Sequence, residues 1–331
     1  MPRVLDNSQH YTWFKCPVLW YTTVIAGIQR KRVGQRNDPL CIGSLYHNGM
    51  ENWYRDRKIG VDQSCIDENT PDKDTLDLVY NLLTFYAQKF PSDPWETESI
   101  EGVYQIPLID GWNALAKIDK VAVVTTPTTI DTGVDGTTIE IPAGRYSLEH
   151  KTRGTGLSRA SYIRSWRRRK QVDFQMLCGK VDGVIVNVAE KPSARQPTRK
   201  CQGCKSTFEF REWLPIKDNT YSCHSCGHEQ ELKPLTKEQL APKEPEFFRI
   251  YQTRTKEQLE QSFKEFQLIA TRMQAAIDDP STLESNTLNC IDERWGYDCD
   301  FLQDCEELSD PLERPEFIQI ENPLAYIGLE D

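Results

Sequence analysis

The sequence predicts a mixed α/β protein carrying an inserted metal-binding module, and three observations predict it. Helical periodicity over the first 95 residues gives way to strand-like alternation. Strands then alternate with long helical stretches, the pattern of helices laid on a sheet. A Lys/Pro/Ser/Cys-rich segment with two Cys-x-x-Cys pairs interrupts that alternation. Residues 10–30 and 38–58 read as helices, the second with Gly43, His47 and Glu51 at four-residue spacing and hence on one face. Residues 74–90 form a third helix, stopped by Pro91. Segments 98–109 and 112–125 read as strands joined by Asp110-Gly111, residues that tolerate the positive φ of a tight hairpin turn. The Thr/Gly-rich stretch TTPTTIDTGVDGTTIEIPAG extends that hairpin, and RYSLEHK (145–151) is a third strand. A helix over 159–180, the apolar strand VDGVIVNVAE (181–190), the strand FFRIY (247–251) and a helix over 255–277 complete the core. The organisation expected is an N-terminal helical region over 1–95, a core over 96–190, an insertion over 191–244, a returning strand and helix over 245–280, and a cysteine-bearing acidic region over 281–331.

Composition bounds the function. With 38% apolar and 10% aromatic residues in 331, the chain is neither disordered nor collagen-like. It has no apolar run long enough to span a bilayer, so no membrane partner is expected. The opening MPRVLDNSQHYTWFKC lacks the charged-then-apolar layout of a secretory signal, which predicts a cytoplasmic, reducing compartment. The net charge of −10 is unevenly spread: eight acidic residues and one basic lie between Cys305 and Asp331, whereas RSWRRRK (164–170) holds five cations in seven positions. A basic stretch in an acidic chain fits a nucleic-acid-binding face, and equally a solvated helix face.

In a reducing compartment eleven cysteines point to metal rather than disulfides. Cys201 and Cys204, then eighteen residues, then Cys223 and Cys226 have the spacing of a zinc ribbon. Four thiolates make a closed structural Zn²⁺ site, and an insert too small for its own core needs such a staple. His224 or His228 could replace one thiolate. The expected task of the insert is contact with nucleic acid or protein, not catalysis.

A second constellation is Glu149-His150-Lys151 at the end of one strand with Asp119 on a preceding one. Two carboxylates at adjacent strand ends can hold a hard divalent cation, and a lysine two residues after a glutamate shares its face. A metal, a water and an ammonium are the parts needed to hydrolyse a phosphodiester. Arg164, Arg167, Arg168 and Arg169, with Arg249, are candidate clamps for a nucleic-acid backbone.

Together these features resemble the PD-(D/E)XK nuclease superfamily, in particular its RecB-like exonuclease branch, which includes CRISPR-associated and phage recombination nucleases. Gly43-Ser-Leu-Tyr-His47 resembles the branch's G-x-x-x-H helix, Ala116-Lys-Ile-Asp119 its metal-binding strand, and Leu148-Glu149-His150-Lys151-Thr152 its signature strand. Gln171 falls where the branch has a Q-x-x-x-Y motif, with Gln175 in the tyrosine's place, so either glutamine could fill the role. The resemblance implies a restriction-endonuclease-like core, a mixed central sheet flanked by helices, with helical N- and C-terminal regions. It further implies Mg²⁺ or Mn²⁺ held by His47, Asp119, Glu149 and the carbonyl of His150, with Lys151 catalytic. It also implies a [4Fe–4S] cluster on Cys16 with Cys290, Cys299 and Cys305, although the wide spacing of Cys290 leaves zinc as the alternative occupant. An imidazole ligand predicts that Mn²⁺ supports activity at least as well as Mg²⁺.

The function expected is a metal-dependent DNA exonuclease in recombination, repair or phage DNA processing. Its partners would be single-stranded or free-ended duplex DNA and a helicase or recombinase. Two alternatives are a non-catalytic adaptor that binds through the ribbon and an iron–sulfur redox protein.

Overall fold

The computed structural model describes residues 3–30, 39–62, 73–132, 136–154, 158–192, 198–209, 213–217, 219–233, 244–283, 291–292, 297–301, 304–305 and 310–321. By compactness the chain divides into two units: Met1–Thr152 with Ser158–Ala189 and Phe247–Asp331, and Arg153–Leu157 with Glu190–Glu246.

The first unit opens with β1 (Arg3–Leu5), α1 (Asn7–Lys15), α2 (Pro17–Trp20), a π-helical turn over Tyr21–Ile25, and β2 (Ile28–Arg30). Next come α3 (Pro39–Asp56), α4 (Lys73–Lys89), the long hairpin of β3 (Glu96–Ile109) and β4 (Trp112–Val124), and the small hairpin of β5 (Thr128–Asp131) and β6 (Thr138–Ile141). β7 (Gly144–Arg153), α5 (Arg159–Trp166), α6 (Lys170–Gly179) and β8 (Gly183–Glu190) lead to the second unit. That unit contains β9 (Thr198–Lys200), β10 (Thr207–Glu209), β11 (Trp213–Lys217), β12 (Thr220–Cys223) and β13 (Glu229–Glu231). The first unit resumes with β14 (Glu246–Gln252), α7 (Lys256–Asp278), β15 (Ile291–Asp292), β16 (Tyr297–Asp298) and β17 (Phe317–Gln319).

β1, β3, β4, β7, β8 and β14 form one central sheet. β4 pairs in parallel with β1 and antiparallel with β3 and β7, so the sheet is mixed and the protein is of the predicted α/β class. Gly111 at φ 73° closes the β3–β4 hairpin. β8 is buried from Gly183 to Ala189, as its apolar run, interrupted by Asn187, requires of a strand covered on both faces. Two helical layers supply that cover. In one, Phe174 of α6 stacks on Phe266 of α7 at 3.9 Å, within a core shared with Ala114, Ala116 and Ile118 of β4 and Val184 and Val186 of β8. In the other, α3 and α4 pack with Ala189 and Phe247. Gly49 lets α3 and α4 approach, because a Cβ there would collide with the Leu83 side chain.

Three expectations are corrected. The single helix over 10–30 breaks at Cys16, which is extended (φ −165°, ψ 119°), because a proline disfavours helical geometry in the residue before it. Pro17 then begins α2 and the helical run ends by Ala26. The single helix over 159–180 is two: consecutive cations repel along a continuous helix, and Arg169 turns out to place its guanidinium over Trp166 at 4.4 Å. In the C-terminal region, expected to be helical, the described residues form strand pairs and 3-10 turns, and only Asp304 and Cys305 are α-helical. There β17 pairs antiparallel with β2, from Phe317↔Arg30 to Gln319↔Ile28, and so ties the two ends of the chain.

The second unit has a two-stranded ladder of β9 and β10 and a three-stranded sheet of β11, β12 and β13. Its buried cluster, among the described residues, is Cys201, Trp213, Cys223 and Leu232, with Phe208 and Tyr221 against it.

Candidate active site

The β4–β7 ladder runs from Val124↔Gly144 to Lys120↔Leu148. Just beyond it the amide N–H of His150 donates to Asp119 Oδ2 at 2.7 Å instead of to a strand partner. Asp119 and Glu149 thereby sit side by side where the strands part. From α3, His47 Nδ1 reaches Asp119 Oδ2 at 3.1 Å. The donor atoms of His47, Asp119 and Glu149 all lie within 4.8 Å of one another, a separation one cation can span. Lys151, on the same face as Glu149, forms an ion pair with it.

The electrostatics are those of an anionic pocket with one fixed ammonium. Burial pushes the Asp119 carboxyl up, but His47 more than offsets this and holds it well below the usual carboxylate range. Burial pulls the His47 imidazole down, and the Asp119 carboxylate reverses the shift so that its pKa is raised. Burial likewise pulls Lys151 down, and Glu149 and Asp119 bring it above its ordinary value, so the amine stays charged.

Gln175, not Gln171, reaches the centre. Its Nε2 donates to Glu149 Oε2 at 2.6 Å, and its Oε1 accepts from Ser147 Oγ at 3.0 Å. Gln171 lies one turn earlier on α6, half-buried and without such a contact. Gln171 and Gln175 lie one turn apart on the same face of α6, and Gln175 is the one level with Glu149 of β7.

The side chain of His150 faces the other way, buried against the rings of Tyr46, Tyr54 and Tyr86. Burial lowers its pKa to about 3, so it is neutral. Beside it Lys120 pairs with Asp93 at 2.9 Å under the Tyr54 ring. Asp93 also takes Arg249 at 2.9 Å, and Arg249 donates to Asn187 Oδ1 at 2.8 Å. Arg249, expected among the backbone clamps, is therefore a buried structural residue: its charge is spent on Asp93. Arg164, Arg167 and Arg168 are exposed, and Arg169 is half-buried over Trp166 and Tyr162.

In the second unit the four predicted cysteines converge. Cys201 Sγ and Cys226 Sγ are 3.6 Å apart, and Cys204 Sγ and Cys223 Sγ are 3.9 Å apart. These are too long for disulfides and close to the ~3.8 Å between thiolates that share one tetrahedral ion at a metal–sulfur distance of ~2.3 Å. The group can hold a metal. Of the other predicted set, Cys290 lies outside the described residues. Cys16 is buried between α1 and α2, while Cys299 and Cys305 border a small cluster of Ile28, Phe301 and Phe317.

No family model matches the chain, and no curated protein matches it. Among the described residues no helix is long and apolar enough to cross a membrane. Sequence reasoning, which left the glutamine open between Gln171 and Gln175, missed two neighbours of the centre. Lys117, which pairs with Glu101 at 2.9 Å, lies two residues before Asp119 and within its field, a placement strand alternation could have flagged. Tyr162 lies within the field of Lys151, and nothing in the linear order announces it.

Proposed function

We propose that the first unit is a metal-dependent nuclease that hydrolyses phosphodiester bonds in DNA, with a restriction-endonuclease-like core. The observation that carries this reading is the meeting of His47, Asp119, Glu149 and Lys151, brought from α3, β4 and β7 to one point. The ordered motifs of the PD-(D/E)XK superfamily support it, and the RecB-like branch supports an exonuclease working with a helicase or recombinase. Mg²⁺ or Mn²⁺ held by the two carboxylates and the imidazole would supply a water of lowered pKa and neutralise phosphate charge. The chain's own groups do the rest. The His150 amide and His47 fix one carboxylate, and Gln175 fixes the other. The Lys151 ammonium is placed to orient the attacking water and to steady the charge that builds on the phosphorane.

The decisive assay follows cleavage of labelled single-stranded and duplex DNA, with and without Mn²⁺ or Mg²⁺. Cleavage should need the metal, Mn²⁺ should serve at least as well as Mg²⁺, and Glu149→Ala should abolish it. A Glu149→Ala protein as active as wild type sinks the reading. Gln175→Ala should lower the rate by about 10- to 100-fold, the usual cost of removing a group that orients a metal ligand, while Gln171→Ala should change it little.

For the second unit we propose a zinc ribbon, on the donor chemistry of its four thiolates. A closed, separate thiolate site also favours a second reading, in which this unit binds nucleic acid or protein without catalysis. For Cys16 with Cys290, Cys299 and Cys305 we propose a [4Fe–4S] cluster. The pairing of β2 with β17, and the packing of Leu19, Ala26 and Ile28 with Phe301, support it by bringing together the chain ends that carry those cysteines. Anaerobically purified protein should be brown with broad visible absorption, and Cys299→Ser should bleach it.

A further inference from the structure

We propose that an extended single strand of nucleic acid binds across the outer face of α1 and the turn between α5 and α6, its bases stacking on Tyr11 and Phe14. Tyr11 is 69% exposed and Phe14 54% exposed. Among the described residues only one other large apolar side chain so exposed is aromatic, Tyr80. Tyr11 and Phe14 are three apart on one helix, which puts both rings on the same side of α1. Leaving two neighbouring rings in water is costly unless something covers them.

The surroundings say what covers them. Phe14 packs on the ring of His10 at 4.8 Å, His10 Nε2 bonds Glu265 Oε1 at 3.2 Å, and Glu265 receives Lys170 Nζ at 2.6 Å. α1 thus lies beside the start of α6, directly after Arg167 and Arg168, whose side chains point into solvent. Exposed cations next to exposed rings suit a polyanion that also offers flat apolar faces. A paired duplex hides its base faces, and an apolar protein partner has no use for the arginines, so the occupant is a single strand. On its other side the turn adjoins Tyr162, over which the Arg169 guanidinium lies at 5.7 Å. That the bound strand runs toward a phosphate about to be cut rests on the nuclease reading.

The test is a fluorescence-anisotropy titration in EDTA, with a labelled oligothymidylate and a blunt hairpin duplex as probes. The proteins are wild type, Tyr11→Ala/Phe14→Ala and Tyr11→Trp/Phe14→Trp. With the stacking of two bases lost, the alanine pair should bind oligothymidylate at least about 30-fold more weakly, change little on the hairpin, and be rescued by the tryptophan pair. Unchanged affinity for oligothymidylate overturns the proposal, as do parallel losses on both probes. Loss of self-association with normal oligothymidylate binding assigns the rings to a protein contact and also overturns it. Cleavage in Mn²⁺ is read on the same samples. Wild type that binds through the rings but never cuts sinks the nuclease reading and leaves the platform standing. Wild type that cuts while the alanine pair binds as tightly sinks the platform alone.

Discussion

Lys151→Ala should lower metal-dependent cleavage by about 10²–10³-fold, the usual cost of losing one charged donor aimed at a transition state. On the proposed nuclease reading, the lysine serves the chemistry rather than the fold. It is partly exposed, it pairs with Glu149, and no core cluster includes it. Its removal leaves Glu149 held by Gln175 alone, so two adjacent carboxylates face each other without a neutralising ammonium. The variant's thermal stability should therefore depend more on added Mn²⁺ than that of wild type. Lys151→Arg keeps the charge but not the compact ammonium and should recover stability more than rate. Single-turnover cleavage beside melting curves with and without Mn²⁺ separates the two effects. A Lys151→Ala enzyme with the wild-type rate would remove this residue from the mechanism.

Cys223→Ser should unfold the second unit while leaving the first intact. Among the described residues the unit's buried cluster is four side chains, two of them cysteines of the site itself, whereas a structural zinc ion bound by four thiolates contributes roughly 10–16 kcal/mol in small modules. The variant should lose one equivalent of metal and the hydrogen-exchange protection of β11, β12 and β13. Trp213, buried in that unit, should shift to the emission of a solvated indole. Protection in the central sheet should stay as it was. Full metal content, or β11–β13 still protected, would mean that the ion is not what folds this unit.

Much of the fold was legible because hydrophobic period is local. The change from helical to alternating pattern before β3, the Asp-Gly turn, and the mostly apolar run of β8 each report on a few consecutive residues. What failed depended on distant partners. Arg249 looked like a surface cation because Asp93, which buries it, is 156 residues away in the chain. The glutamine stayed open between Gln171 and Gln175, because both lie on one face of α6 and only the level of β7 beside that helix decides which of them meets Glu149. The α1–α2 break was readable from Pro17 alone and should have been read. The candidate centre was different in kind. Strand order already put Asp119 and Glu149 at neighbouring strand ends, but only a resemblance suggested that His47 joins them; its distance in the chain, by itself, implies nothing of the sort.

The interruption between α5 and α6 has a consequence for how this surface can change over time. Because α6 starts afresh at Lys170, insertions or substitutions in the arginine turn need not rotate the buried glutamine by even one residue. The outward-facing cations can drift, lengthen or swap sign to suit a new ligand while the hydrogen bond to Glu149 stays put. Ligand preference and chemistry are thereby left on separate evolutionary tracks, a few residues apart in one stretch of chain.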